Sequence, residues 1–179
     1  CRILLAMIPL RPLGRTGLEV SVLALGAGPI PELMTRDDAA AQRKVLARAL
    51  EHGINWIDTA HAYGFGESEE VVGKAVREYG GDVIVATKCG VLANEDRSPY
   101  RLISRKTIIE EVEGSLRRLQ TDCIDLYQLH WPEPPENVEE GWQALLDLKQ
   151  QGKIRWAGVC NFYEENLTRA EVLGHVSSI

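Results

Sequence analysis

Five short, continuous apolar runs constrain this chain more than any other feature. They cover residues 22–26, 54–58, 83–87, 124–129 and 154–159. A strand with one wet face alternates apolar and polar residues. Unbroken runs of this length belong instead to strands covered on both sides, as in parallel sheets. Helical patterns separate the runs. Val72, Ala75, Val76 and Tyr79 fall on one helical face, as do Ile108, Val112, Leu116 and Leu119, and then Val138, Trp142, Leu145 and Leu146. Thr35 with Asp38, and Asn137 with Glu140, read as helix N-caps with an acid in the first turn. Gly53, Gly80 and Gly152 each fall between a helix and the next strand, where a left-handed C-cap is needed. This alternation predicts an α/β fold with a parallel sheet and right-handed crossovers. Ahead of it, residues 10–13 and 18–20 flank Gly14-Arg15-Thr16-Gly17 and predict a β-hairpin.

Two architectures fit: an open doubly wound sheet and a (β/α)8 barrel. The open sheet binds a nucleotide at a glycine-rich first turn. Here that turn reads Gly26-Ala27-Gly28-Pro29-Ile30-Pro31, with Pro31 where the third glycine belongs. Polar residues collect at the C-terminal ends of successive runs: Asp58, Lys88, His130 and Asn161. A barrel builds its active site at that face. The same ends line the crevice of an open sheet, so their position alone leaves both architectures open.

Composition narrows the function classes. The chain has 179 residues, of which 45% are apolar and 26% charged, enough for one soluble domain with its own core. A net charge of −6 with interspersed signs gives no clustered basic face, which excludes a nucleic-acid partner. The pair Arg117-Arg118 reads as a solvated helix end. Cys1, Cys89, Cys123 and Cys160 lie far apart without a CxxC, so neither a metal site nor a disulfide framework is expected, and free thiols suit a cytoplasmic setting. No run approaches the ~20 apolar residues of a membrane span, so no membrane partner is expected. The first ten residues lack the cleavage region of a signal peptide. Met7-Ile8-Pro9-Leu10-Arg11 makes a natural start, with residues 1–6 expected to be extraneous. His52, His61 and His175 show no metal-ligand spacing and read as structural or solvent-facing. Asp37-Asp38 and Glu139-Glu140 read as helix-start charges that complement the macrodipole.

Longer motifs decide between the architectures. Asp58-Thr59-Ala60-His61-Ala62-Tyr63-Gly64, the strand end Val85-Ala86-Thr87-Lys88, and Asp125-Leu126-Tyr127-Gln128-Leu129-His130-Trp131-Pro132 resemble the signatures of the aldo-keto reductases, in their order and spacing. So do Leu13-Gly14-Arg15-Thr16-Gly17-Leu18-Glu19-Val20-Ser21, Gly66-Glu67-Ser68-Glu69 and Gly158-Val159-Cys160-Asn161-Phe162. The resemblance spans residue 10 to about residue 170. It implies a TIM barrel with an N-terminal hairpin, a nicotinamide cofactor (NADPH) and a small-molecule carbonyl substrate. It implies Tyr63 as proton donor, with Asp58, Lys88 and His130 as its supports. It places Gly26, Asp58, Cys160 and Asn161 along the cofactor. Asn161 resembles the asparagine that contacts the carboxamide, whereas Cys160 stands where the family has serine, and a thiol is a weaker donor than a hydroxyl.

The chemistry makes sense of these residue types. Carbonyl reduction needs a hydride, which no side chain can supply, and a proton delivered to the carbonyl oxygen. A phenol with an ordinary pKa of about 10 is a reluctant acid, and a neighbouring ammonium stabilises its phenolate. A carboxylate keeps that ammonium charged, and an imidazole can orient the carbonyl. Singly, each residue has an ordinary reading: a turn Asp, a solvated Lys, a rim Tyr, a structural His. The set in barrel order points to catalysis. Trp131 reads equally as pocket wall or core.

A complete barrel takes about 250 residues. The sequence supplies about five of eight βα units, so residues 1–179 are expected to form one partial barrel domain of a longer product. Strands six to eight are absent. That expectation leaves the chain by itself inactive. Two other functions resemble this one in fold: a regulatory binding barrel like the potassium-channel β subunits, and a Schiff-base aldolase using Lys88, which the Asp58 pairing opposes because that nucleophile must be neutral.

Overall fold

The computed structural model describes residues 8–28 and 39–179. β1 (Leu10–Pro12) and β2 (Glu19–Ser21) form the expected antiparallel hairpin, with Gly14 and Gly17 at positive φ in its turn. Asn55 ties this hairpin to the sheet. Its Oδ1 accepts from Ser21 N at 2.7 Å, and its Nδ2 donates to Glu19 O at 2.8 Å. Then follow β3 (Leu25–Gly26), β4 (Trp56–Asp58), β5 (Ile84–Cys89), a second hairpin of β6 (Val91–Ala93) and β7 (Pro99–Arg101), β8 (Ile124–Leu129) and β9 (Ile154–Val159). The helices are α1 (Ala39–Glu51), α2 (Glu67–Tyr79), α3 (Arg105–Leu119), α4 (Val138–Gln150) and α5 (Glu164–Leu173).

Strand order decides the architecture. The main sheet runs β3-β4-β5-β8-β9, parallel throughout. A doubly wound sheet reverses its order at a switch point, and that crevice is its ligand site. Here the order never reverses, and each helix packs against the next one in sequence. This is the one-way winding of an arc of a (β/α) barrel. Between strands and helices lies a core that includes Ile57, Val72, Ile108, Val112, Tyr127, Trp142, Leu145 and Val159, all fully buried. Trp142 satisfies its indole N–H on Gly174 O at 3.1 Å. After α5 the chain runs back along β9: Ser177 N donates to Ala157 O and Val159 N donates to Ser178 O, each at 3.0 Å.

Gly53, Gly80 and Gly152 all have positive φ, as the C-cap reading required. Four expectations need correction. Val22 and Leu23 are not strand but exposed connector (45% and 58%), because Val22 N and Leu23 O are bonded to Pro9 O and Ser21 Oγ. Tyr79, on the last turn of α2, lies beyond the packed face and is exposed. Asn137 stands at the N-cap of α4 but its side chain caps nothing, while Glu140 accepts from Arg105 N at 2.8 Å. Arg118 is no solvated helix end; it pairs with the fully buried Glu69 at 2.7 Å. The β6–β7 hairpin had no counterpart in the sequence reading. The Thr35, Asp37-Asp38 and Pro31 readings, and the proposed start at Met7, lie outside the described residues.

Candidate active site

The parallel register brings the C-terminal ends together. Gly26 lies beside Asp58, and Lys88 lies beside Gln128 one residue before the end of β5. The backbone ladder continues just past the strands: Ala27 N to Asp58 O at 2.7 Å, Thr59 N to Ala86 O at 2.8 Å, His130 N to Cys89 O at 2.9 Å and Cys160 N to Leu129 O at 2.8 Å. Asp58, Lys88, His130, Cys160 and Asn161 are therefore fixed by sheet geometry rather than by free loops. Tyr63 arrives from the turn between β4 and α2, whose backbone bonds Tyr63 N to Ala60 O at 3.0 Å and Ser68 N to Tyr63 O at 3.2 Å.

Lys88 is the hub. Its side chain is 5% exposed, and Nζ donates to both Asp58 oxygens at 2.8 Å, to Thr59 O at 2.9 Å and to Tyr63 Oη at 3.4 Å. An ammonium has three protons to give. All three have partners, one of them a carboxylate, and a nitrogen so committed opposes the Schiff-base reading. The His130 ring meets the Tyr63 ring edge-on at 6.0 Å. Burial pushes the His130 imidazole down to about 4, helped by the Lys88 and Arg101 charges. His130 is thus neutral near pH 7 and able to donate one hydrogen bond. An unfolded imidazole takes its proton near 6.5, so this group makes stability fall as pH drops from 6.5 to about 4.

Asn161 adopts a left-handed conformation (φ 59) and donates from Nδ2 to His130 O at 2.8 Å and to Cys160 Sγ at 3.3 Å. It locks the ends of β8 and β9 together. Burial raises the Cys160 thiol, which keeps it protonated. Gly26 is exposed, and a Cβ there would meet nothing within 4 Å.

Several residues that shape this site escaped the sequence reading. A Cβ on Gly28 would come within 2.5 Å of the Tyr63 ring, so only glycine lets the phenol lie against this backbone. Ser68 and Glu69, quoted above as part of a motif, act structurally. Ser68 Oγ donates to Ala27 O at 2.6 Å, and Glu69 Oε1 accepts from Thr87 Oγ1 at 2.6 Å, next to Lys88. Glu111, on α3, receives Gly90 N on both carboxyl oxygens at 3.0 Å, immediately after the Lys88 strand.

Burial raises the Glu111 carboxyl to about 8 from an ordinary 4.5, against the pull of the Gly90 N–H. The fold therefore holds a proton there that the unfolded chain releases above 4.5, and the stability this proton brings is lost as pH rises through about 8. Urea midpoints are expected to fall between pH 6 and pH 9, and Glu111→Gln to flatten that decline. An equally steep decline in the variant would assign it elsewhere.

The sequence profile described as Aldo/keto reductase family matches residues 22–177. This chain belongs to the aldo/keto reductase family. Aldo-keto reductase YhdN of Bacillus subtilis is 47% identical over 155 residues, covering 85% of this chain and 46% of that protein. The NADH-specific methylglyoxal reductase of Escherichia coli is 38% identical, covering 84% of this chain and 51% of that protein. Among solved structures, the glycerol dehydrogenase AKR11B4 of Gluconobacter oxydans aligns with a TM-score of 0.86 at 36% identity, over 96% of this chain and 54% of that one. This aldo/keto reductase chain thus spans about half the length of these relatives. Members of the family use nicotinamide cofactors. Among the described residues, no helix is long and apolar enough to cross a membrane and no acid, His or Cys cluster could hold a metal.

Proposed function

We propose that this chain carries the proton-transfer half of an NADPH-dependent carbonyl reductase, converting aldehydes or ketones to alcohols. The observation that carries this is the Lys88 ammonium bonded at once to Asp58, Thr59 O and the Tyr63 phenol. In this proposal the chain is part of one barrel domain, acting in the cytoplasm.

The residues present fit a nicotinamide. Asp58 is 36% exposed despite its pairing, Gly26 offers an open backbone beside it, and the Asn161 side chain reaches the same end of the sheet. Gly26, Asp58, Cys160 and Asn161 would hold the group, which supplies the hydride when bound. Because the thiol of Cys160 is a weak donor, Asn161 carries most of any carboxamide contact.

Tyr63 Oη gives its proton to the carbonyl oxygen as negative charge builds there. The phenolate left behind faces Lys88 Nζ, which Asp58 holds in place. Neutral His130 donates a hydrogen bond to the same oxygen and fixes the face presented. The carbonyl oxygen gains its proton from Tyr63, and Tyr63 is reprotonated from solvent. The named activities of two relatives, methylglyoxal reduction and glycerol dehydrogenation, support small oxygenated substrates. The test follows reduced nicotinamide consumption by the full-length protein with a test aldehyde. Aldehyde-dependent oxidation of NADPH, faster than of NADH, is expected. No aldehyde-dependent oxidation of either cofactor would overturn the assignment.

A further inference from the structure

A groove leads away from the catalytic cluster. Ala62, Tyr100, Arg101, His130, Trp131 and Glu133 are among its walls. Ala62 adjoins Tyr63 in sequence and His130 is itself in the cluster, so a molecule whose carbonyl sits between Tyr63 and His130 extends toward Trp131 and Arg101. Arg101 closes the β6–β7 hairpin. Its guanidinium lies over the Trp131 ring at 3.8 Å and pairs with Glu133 at 2.5 Å. The guanidinium charge reaches the cluster, since it helps to depress His130.

We propose that Arg101 is a specificity-determining residue that selects carbonyl substrates bearing a carboxylate a few bonds from the reacting carbon. This rests on the reductase reading above. Stacking on Trp131 fixes the guanidinium plane, and a fixed fork suits bidentate capture of a carboxylate. Lys88, the cation of the cluster itself, has all its protons committed there. Arg101 and Glu133 are 38% and 45% exposed. An exposed pair of this kind adds little to stability and is readily exchanged. A substrate carboxylate can take the guanidinium edges that Glu133 leaves, or replace Glu133 altogether. Glu133 is then a competitor that tempers anion preference, and removing its charge strengthens that preference.

The experiment measures kcat/KM of the full-length protein for succinic semialdehyde and for butanal, chains of equal length with and without the carboxylate. The charged-to-neutral ratio is expected to fall about tenfold in Arg101→Met, which keeps an apolar stem on Trp131, and to rise in Glu133→Gln. Added salt is expected to lower the wild-type ratio and to leave that of Arg101→Met level. A protein that reduces butanal but whose ratio does not move in either variant overturns this inference and leaves the reductase reading standing. A protein that reduces neither aldehyde overturns both.

Discussion

Tyr63→Phe in the full-length protein is expected to lower kcat for aldehyde reduction by about a hundredfold to ten-thousandfold, the range that positioned proton transfer supplies. The ring stays. Gly28 leaves room for it, and its edge contact with His130 involves no hydroxyl. What is lost is the proton that Tyr63 transfers to the carbonyl oxygen, together with the acceptor for Lys88 Nζ at 3.4 Å. Lys88 keeps Asp58 and Thr59 O, so the cluster loses a donor without losing its shape. Cofactor affinity is therefore expected to hold while kcat collapses, a split that steady-state kinetics with direct binding resolves. Parallel losses in both would mean that the phenol shapes the site rather than donating to the substrate.

The second large effect concerns stability. Glu69 is fully buried, and Arg118 Nε supplies its charge partner at 2.7 Å. Removing one member of such a pair strands a buried charge, at a cost of about 3–5 kcal/mol. Arg118→Met is expected to lose that much in urea denaturation. Glu69→Gln combined with Arg118→Met is expected to recover most of it, because the stranded charge is gone. Thr87 donates to Glu69 and precedes Lys88, so the single variant is also expected to lower kcat. A single variant as stable as the parent would mean that water reaches Glu69 when Arg118 is gone.

Much of this was legible in the sequence because the signals are local. A buried parallel strand announces itself by its own composition, and polar residues that end successive strands must meet once the strands run in register. Thus Asp58, Lys88, His130 and Asn161 could be placed at one end of a sheet before any coordinates. Gly53, Gly80 and Gly152 likewise carried their own conformational reason. Arg118 and Arg101 escaped notice because their partners are distant along the chain. Arg118 reads as a solvated cation until Glu69, 49 positions away, is seen beside it. Arg101 has no local mark of function, because Trp131 and Glu133 come from another loop. The β6–β7 hairpin has three residues per strand, too short for alternation to show. Val22 and Leu23 misled because an apolar connector and an apolar strand have the same composition, and only the bonds to Pro9 and from Ser21 tell them apart.

In the proposed reaction a bound nicotinamide would deliver hydride to the carbonyl carbon beside Tyr63. Reduced nicotinamide carrying deuterium at the transferable position, incubated with the full-length protein and an aldehyde, tests it by mass spectrometry of the alcohol. The account predicts one deuterium on the former carbonyl carbon, formed far more slowly by Tyr63→Phe. Alcohol without that deuterium, or formed as fast by the variant, would contradict it.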